Sequence, residues 1–67
     1  MKDLIKSIKE KELFLFENES SFGHVQFNKG NWAIFFNGSC VHISKTLNPV
    51  IKKLEKLGIK EIDFIEN

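Results

Sequence analysis

Apolar residues recur at helical spacing at the start of the chain: Met1, Leu4, Ile5 and Ile8 stand among Lys2, Lys6, Lys9 and Glu10. That period predicts a short amphipathic helix over 2–10. The period then changes. Leu13, Phe14, Leu15 and Phe16 form an unbroken apolar run, as in a strand covered on both faces, and Asn18 to Ser21 supply the turn that ends it. From Phe22 onward the pattern alternates by twos, punctuated at Asn28-Lys29-Gly30-Asn31 and at Asn37-Gly38. Asn-Gly is the stronger signal, because both residues tolerate the positive φ that a two-residue type I′ hairpin loop requires. Strands are therefore expected at 12–17, 22–28, 31–37 and 39–44.

A second helix is expected over 49–57. Asn48 stands as its N-cap, Pro49 at the first helical position, and Leu47, Val50, Ile51, Leu54 and Leu57 form its apolar stripe. Gly58 suits a left-handed C′ position, with Ile59 placed to meet Leu54 in a Schellman closure. Lys60 to Ile65 then alternates, Ile62 and Phe64 against Glu61 and Asp63, and predicts a final edge strand. The result is one α+β domain over 1–67 in the order αββββαβ: a twisted antiparallel β-meander with both helices mainly on one face.

Two tight loops set the strand register. With Asn37-Gly38 as a loop, Phe35 opposes Cys40, Ile34 opposes Val41, Ala33 opposes His42 and Trp32 opposes Ile43; with Lys29-Gly30 as a loop, Val25 opposes Ile34 and His24 opposes Phe35. Alternation then sorts the residues into two faces. Val25, Phe27, Trp32, Ile34, Phe36, Val41 and Ile43 form a core face. The other carries Phe22, His24, Gln26, Ala33, Phe35, Cys40 and His42, without one Lys, Asp or Glu. A four-residue loop at Asn18 to Ser21 adds Leu13 and Leu15 to it. A solvated strand face normally carries charge, so this one is expected to meet something: the first helix, a second copy in a homodimer, or another macromolecule.

Composition narrows the partners. Ten Lys stand against nine acids, Arg is absent, and the formal net charge is +1. Such a balance suits no strongly charged polymer, and without guanidinium forks specific phosphate or guanine recognition is disfavoured. The chain's 67 residues provide a thin core, to which seven Phe and one Trp contribute. The single cysteine, Cys40, has no internal partner. No apolar run nears the roughly 18 residues of a membrane span. A cytoplasmic setting without membrane contact is expected, and Asn18 and Asn37, each followed by x-Ser, read as turn residues rather than glycan acceptors.

Candidate chemistry is sparse. Cys40 and His42 fall two residues apart on one face, but no orienting third group or oxyanion motif accompanies them, so a Cys/His enzyme is the least favoured reading. His24, Cys40 and His42 spread over about 10 Å in that register, too far for one zinc ion, whose bonds are near 2 Å. No metal and no cofactor is expected. The carboxylates of Glu17 and Glu19, and of Glu61, Asp63 and Glu66, read as solvated surface.

The one concentration of charge is Lys45, Lys52, Lys53 and Lys56, with Lys60 following. A helix, a meander and a second helix with paired lysines resembles in part the double-stranded-RNA-binding domains, and Lys52-Lys53-Leu54-Glu55-Lys56 is similar to their basic helix motif. The resemblance implies a nucleic-acid backbone contact through Lys45, Lys52, Lys53 and Lys56. Here, however, the lysines lie inside the helix, Glu55 holds a position usually small, and an extra strand is expected, so membership is not assigned. The leading expectation is a non-enzymatic protein-interaction module, an inhibitor or adaptor in the style of small phage or mobile-element accessory proteins. Its partner-binding residues are Phe22, His24, Gln26, Phe35, Cys40 and His42; nucleic-acid binding is the alternative.

Overall fold

The computed structural model describes residues 2–65; Met1, Glu66 and Asn67 lie outside the described residues. Helix α1 (Lys2–Lys6) precedes a four-stranded antiparallel sheet ordered β1-β2-β3-β4: β1 (Leu13–Glu17), β2 (Phe22–Asn28), β3 (Asn31–Phe36) and β4 (Ser39–Ser44). Helix α2 (Leu47–Lys56) and a 3-10 turn (Glu61–Asp63) complete the chain.

The first helix is shorter than its apolar period. Ser7 turns its hydroxyl back onto the Leu4 carbonyl at 2.7 Å, a local bond that competes with helix continuation, and Lys11 adopts φ +73°. The pattern still does its work, because Ile5 and Ile8 are both buried.

Both hairpin loops are two residues long. Lys29 and Gly30 have φ of +53° and +79°, and Asn37 and Gly38 have +51° and +87°, the positive pairs of a type I′ turn. The resulting ladder sets Val25 opposite Ile34 and His24 opposite Phe35, as the loop signals predict. The β1–β2 connection is held by Asn18, whose Oδ1 accepts from the Ser20 and Ser21 amides and from the Ser21 hydroxyl, the last at 2.7 Å.

The third ladder departs from expectation. Phe35 opposes Cys40, but Ile34 then opposes His42, Ala33 opposes Ile43 and Trp32 opposes Ser44, with a register shift between Ile34 and Phe35. Val41 is the extra residue of a β-bulge. As a sheet-edge strand with β3 as its single ladder neighbour, β4 absorbs the offset without passing it on. The expected Ile34–Val41, Ala33–His42 and Trp32–Ile43 pairs are thereby corrected: His42 moves to the core side beside Ile34, and Ile43 moves out, 66% exposed.

Ile5 and Ile8, then Val50 and Leu54 of α2 and Ile59 beyond it, meet Phe16, Val25, Trp32 and Ile34 of the sheet in one core. Each fully buried large side chain contributes roughly 1.5 to 3 kcal/mol of transfer free energy. Both helices thus cover the same sheet face. Helix α2 begins at Leu47 with Thr46, not Asn48, at the N-cap, and closes as a Schellman motif: Gly58 has φ +80°, its N–H donates to the Glu55 carbonyl at 3.1 Å, and the Ile59 N–H donates to the Leu54 carbonyl at 3.0 Å.

The last segment forms a 3-10 turn where alternation predicts a strand. Asp63 accepts the Lys60 amide through its carboxylate at 2.9 Å and returns its own amide to the Lys60 carbonyl at 2.9 Å, which coils the chain locally. What remains of the edge strand is one antiparallel bridge, Phe64 to Phe16, with the Ile65 N–H on the Leu15 carbonyl. The Phe64 ring meets Phe16 edge-on at 5.6 Å, while Ile62 is exposed.

Candidate docking face

Since both helices lie on one side, the other side of the sheet has no covering element among the described residues. Its centre is His24 and Phe35, cross-strand partners whose rings stack with centroids 4.6 Å apart and 20° between planes. Leu15 opposes His24 from β1, Leu13 opposes Gln26, and Ala33 and Cys40 complete the β3 and β4 sides. Phe22, 57% exposed, lies at the β1–β2 loop end; its amide is held by the Asn37 side-chain oxygen at 3.0 Å, which anchors the neighbouring hairpin tip.

Phe22, His24, Gln26, Phe35 and Cys40 therefore share this face, joined by Leu13 and Leu15 as the four-residue loop implies. His42 does not belong to it. The bulge removes His42 and replaces it with Ile43, a residue the alternating pattern assigns to the core. No feature of the Cys-Val-His-Ile stretch signals this, because its alternation runs unbroken through the bulge. The strand residues of the face carry one charge, Glu17, opposite Phe22 at a corner. Leu13 and Leu15, at 41% and 40%, and Ile43 complete an exposed apolar set on β1, β2 and β4, with half-buried Ala33 and Phe35 between them on β3.

Desolvation among these neighbours lowers the pKa of His24 from its ordinary 6.5, a hydrogen bond from the imidazole to the Gln26 side chain opposing the shift in part. A neutral imidazole suits an apolar face. Cys40 is exposed, and its thiol donates to the His42 carbonyl at 3.8 Å, within the bulge. The Cys40 and His42 side chains stand on opposite sides of β4, so the sheet does not assemble them into a nucleophile and base.

The lysines behave differently. Lys52, Lys53 and Lys56 line an open groove of about 600 Å³ with His42, Pro49 and Glu55, between β4 and α2. Lys45 precedes α2 and is not part of the groove's lining, and Lys60 lines a separate depression with Asn18, Glu19, Ser20, Gly58 and Asp63. Inside the groove wall, His42 Nε2 is buried and has no hydrogen-bond partner among the described residues. Among these residues no helix is long and apolar enough to cross a membrane.

No protein-family model matches this chain, and no curated protein or solved structure matches it significantly.

Proposed function

We propose that this chain is a non-enzymatic docking module, an inhibitor or adaptor that occupies a protein partner through the open face of its sheet. The observation that supports it most is the set of exposed apolar side chains on β1, β2 and β4, Leu13, Leu15, Phe22 and Ile43, around the stacked His24–Phe35 pair. A face this continuous and this poor in charge is costly to leave in water, and such patches mark sites of association. A reducing, cytoplasmic setting suits the exposed lone thiol of Cys40.

A second reading draws on the groove. Lys52, Lys53 and Lys56 converge there, and a nucleic-acid backbone would find three ammonium groups against one carboxylate. The apolar face is preferred because Glu55 dilutes the charge and the groove carries no arginine.

Affinity capture from the native host, with mass-spectrometric identification and reconstitution from purified components, separates the two. Capture of one protein that survives Lys52→Ala/Lys53→Ala and is lost in Phe35→Asp supports docking through the sheet. Retention by Phe35→Asp, or salt-sensitive retention of nucleic acid lost in the double lysine variant, overturns it.

A further inference from the structure

Resting on the docking reading, and naming the occupant it leaves open, we infer that the exposed sheet face pairs with the same face of a second copy of this chain.

Charge permits the pairing. A surface can meet its own copy only if it does not repel itself, and the strand residues of this face carry a single charged side chain, Glu17, at one corner. In a two-fold pairing with the axis parallel to the strands, β1 of each copy lies over β4 of the other. The two Glu17 side chains then stand about three strand spacings, roughly 14 Å, apart and outside the contact. His24 is already biased towards its neutral form and adds no repulsion near neutral pH.

Shape follows the same axis. Leu13 and Leu15 stand on the β1 edge, level across the sheet with Ile43 and Cys40 of β4 respectively. Crossing β1 over β4 sets Leu15 over the small Cys40 side chain of the other copy and Leu13 against its exposed Ile43, apolar on apolar. The His24–Phe35 stacks of the two copies meet near the axis, where aromatic contacts contribute most to an interface.

Area decides that the pairing is feasible. Four strands over about five residues have a plan area of about 320 Å², and side chains standing off the sheet bring the accessible area to on the order of 600 Å² per copy. Two copies would bury about 1,200 Å², at the lower bound of specific interfaces and suited to a reversible dimer. Demand exists as well as supply: a domain of 67 residues buries a smaller share of its surface on folding, about 60%, than a larger domain does, and covering this face adds a second apolar layer.

Sedimentation equilibrium of the full chain, from low micromolar to millimolar concentration, tests this. The wild type is expected to pass from 7.8 kDa to twice that mass with a midpoint in the micromolar range. Phe35→Asp and Leu15→Lys are expected to remain at the monomer mass throughout, with unchanged far-UV circular dichroism, while Lys52→Ala/Lys53→Ala dimerises as the wild type does. If Phe35→Asp fails to fold, Leu15→Lys and Ile43→Lys, both at exposed positions, carry the test. A wild type that stays monomeric at the highest concentration, or folded variants that still dimerise, overturns the inference. Should the wild type be monomeric while Phe35→Asp still loses a captured partner, the second copy is excluded and the docking reading stands. Should capture also survive Phe35→Asp, both fall.

Discussion

The imidazole of His24 lies nearly flat on the Phe35 ring, 4.6 Å between centroids, at the middle of the uncovered sheet face. Leu15 flanks it across β1, Gln26 stands two residues along β2, and the nearest charged strand residue on the face is Glu17, beyond Phe22's end of the ladder. A titratable ring in such surroundings couples the proton to both folding and association.

The sign of that coupling is determined. The folded pKa of His24 is lowered from 6.5, so just below that pH the unfolded chain binds more protons than the folded one. The contribution of His24 to stability is intact above the unfolded value and is lost as pH falls through the folded one. Urea midpoints measured between about pH 7 and pH 5 should fall more steeply for the wild type than for His24→Gln, which lacks the titrating group. Parallel profiles would remove His24 from the account.

The bulge at Val41 makes a contrast between two isoleucines. Ile34 is fully buried, and Ile34→Ala should cost about 2 to 5 kcal/mol. Ile43, 66% exposed, should tolerate Ile43→Ser at a cost below about 0.5 kcal/mol when melts are run at concentrations too low for self-association. A penalty of several kcal/mol at Ile43 would mean that β4 runs without the bulge.

Gly23 is a position where a methyl group has no room. An added Cβ would overlap the Phe35 carbonyl oxygen and come within 2.7 Å of Phe16 Cζ, the ring that lies over the glycine. Because a backbone oxygen cannot swing aside, Gly23→Ala should reach or exceed the upper end of the roughly 1 to 3 kcal/mol typical of overpacking. Gly30→Ala meets no atom within 4 Å, and its strain comes from φ alone, so it should cost about 1 kcal/mol. Denaturant melts giving equal penalties at both sites would contradict the Phe16–Gly23 approach.

Local chemistry determined a great deal here by itself. Asn37-Gly38 and Lys29-Gly30 set two hairpins whose frame follows from positive φ at four residues, and Gly58 closed α2, because each of these is settled by neighbouring dihedrals and needs no distant contact. The sequence also predicted that His24 and Phe35 would share a face of low charge. Tertiary structure decided the rest. At an edge strand with one ladder partner, an extra residue at Val41 disturbs nothing beyond it, so His42 and Ile43 exchanged sides although the alternation shows no break. At the chain's other edge, the Asp63 carboxylate captured the Lys60 amide and coiled a segment whose pattern reads as strand. Alternation named Val25 and Ile34 as the core face, but the sequence also allowed the first helix to cover the other; the burial of Ile5 in one core with Val50 and Leu54 decided that, through contacts distant along the chain.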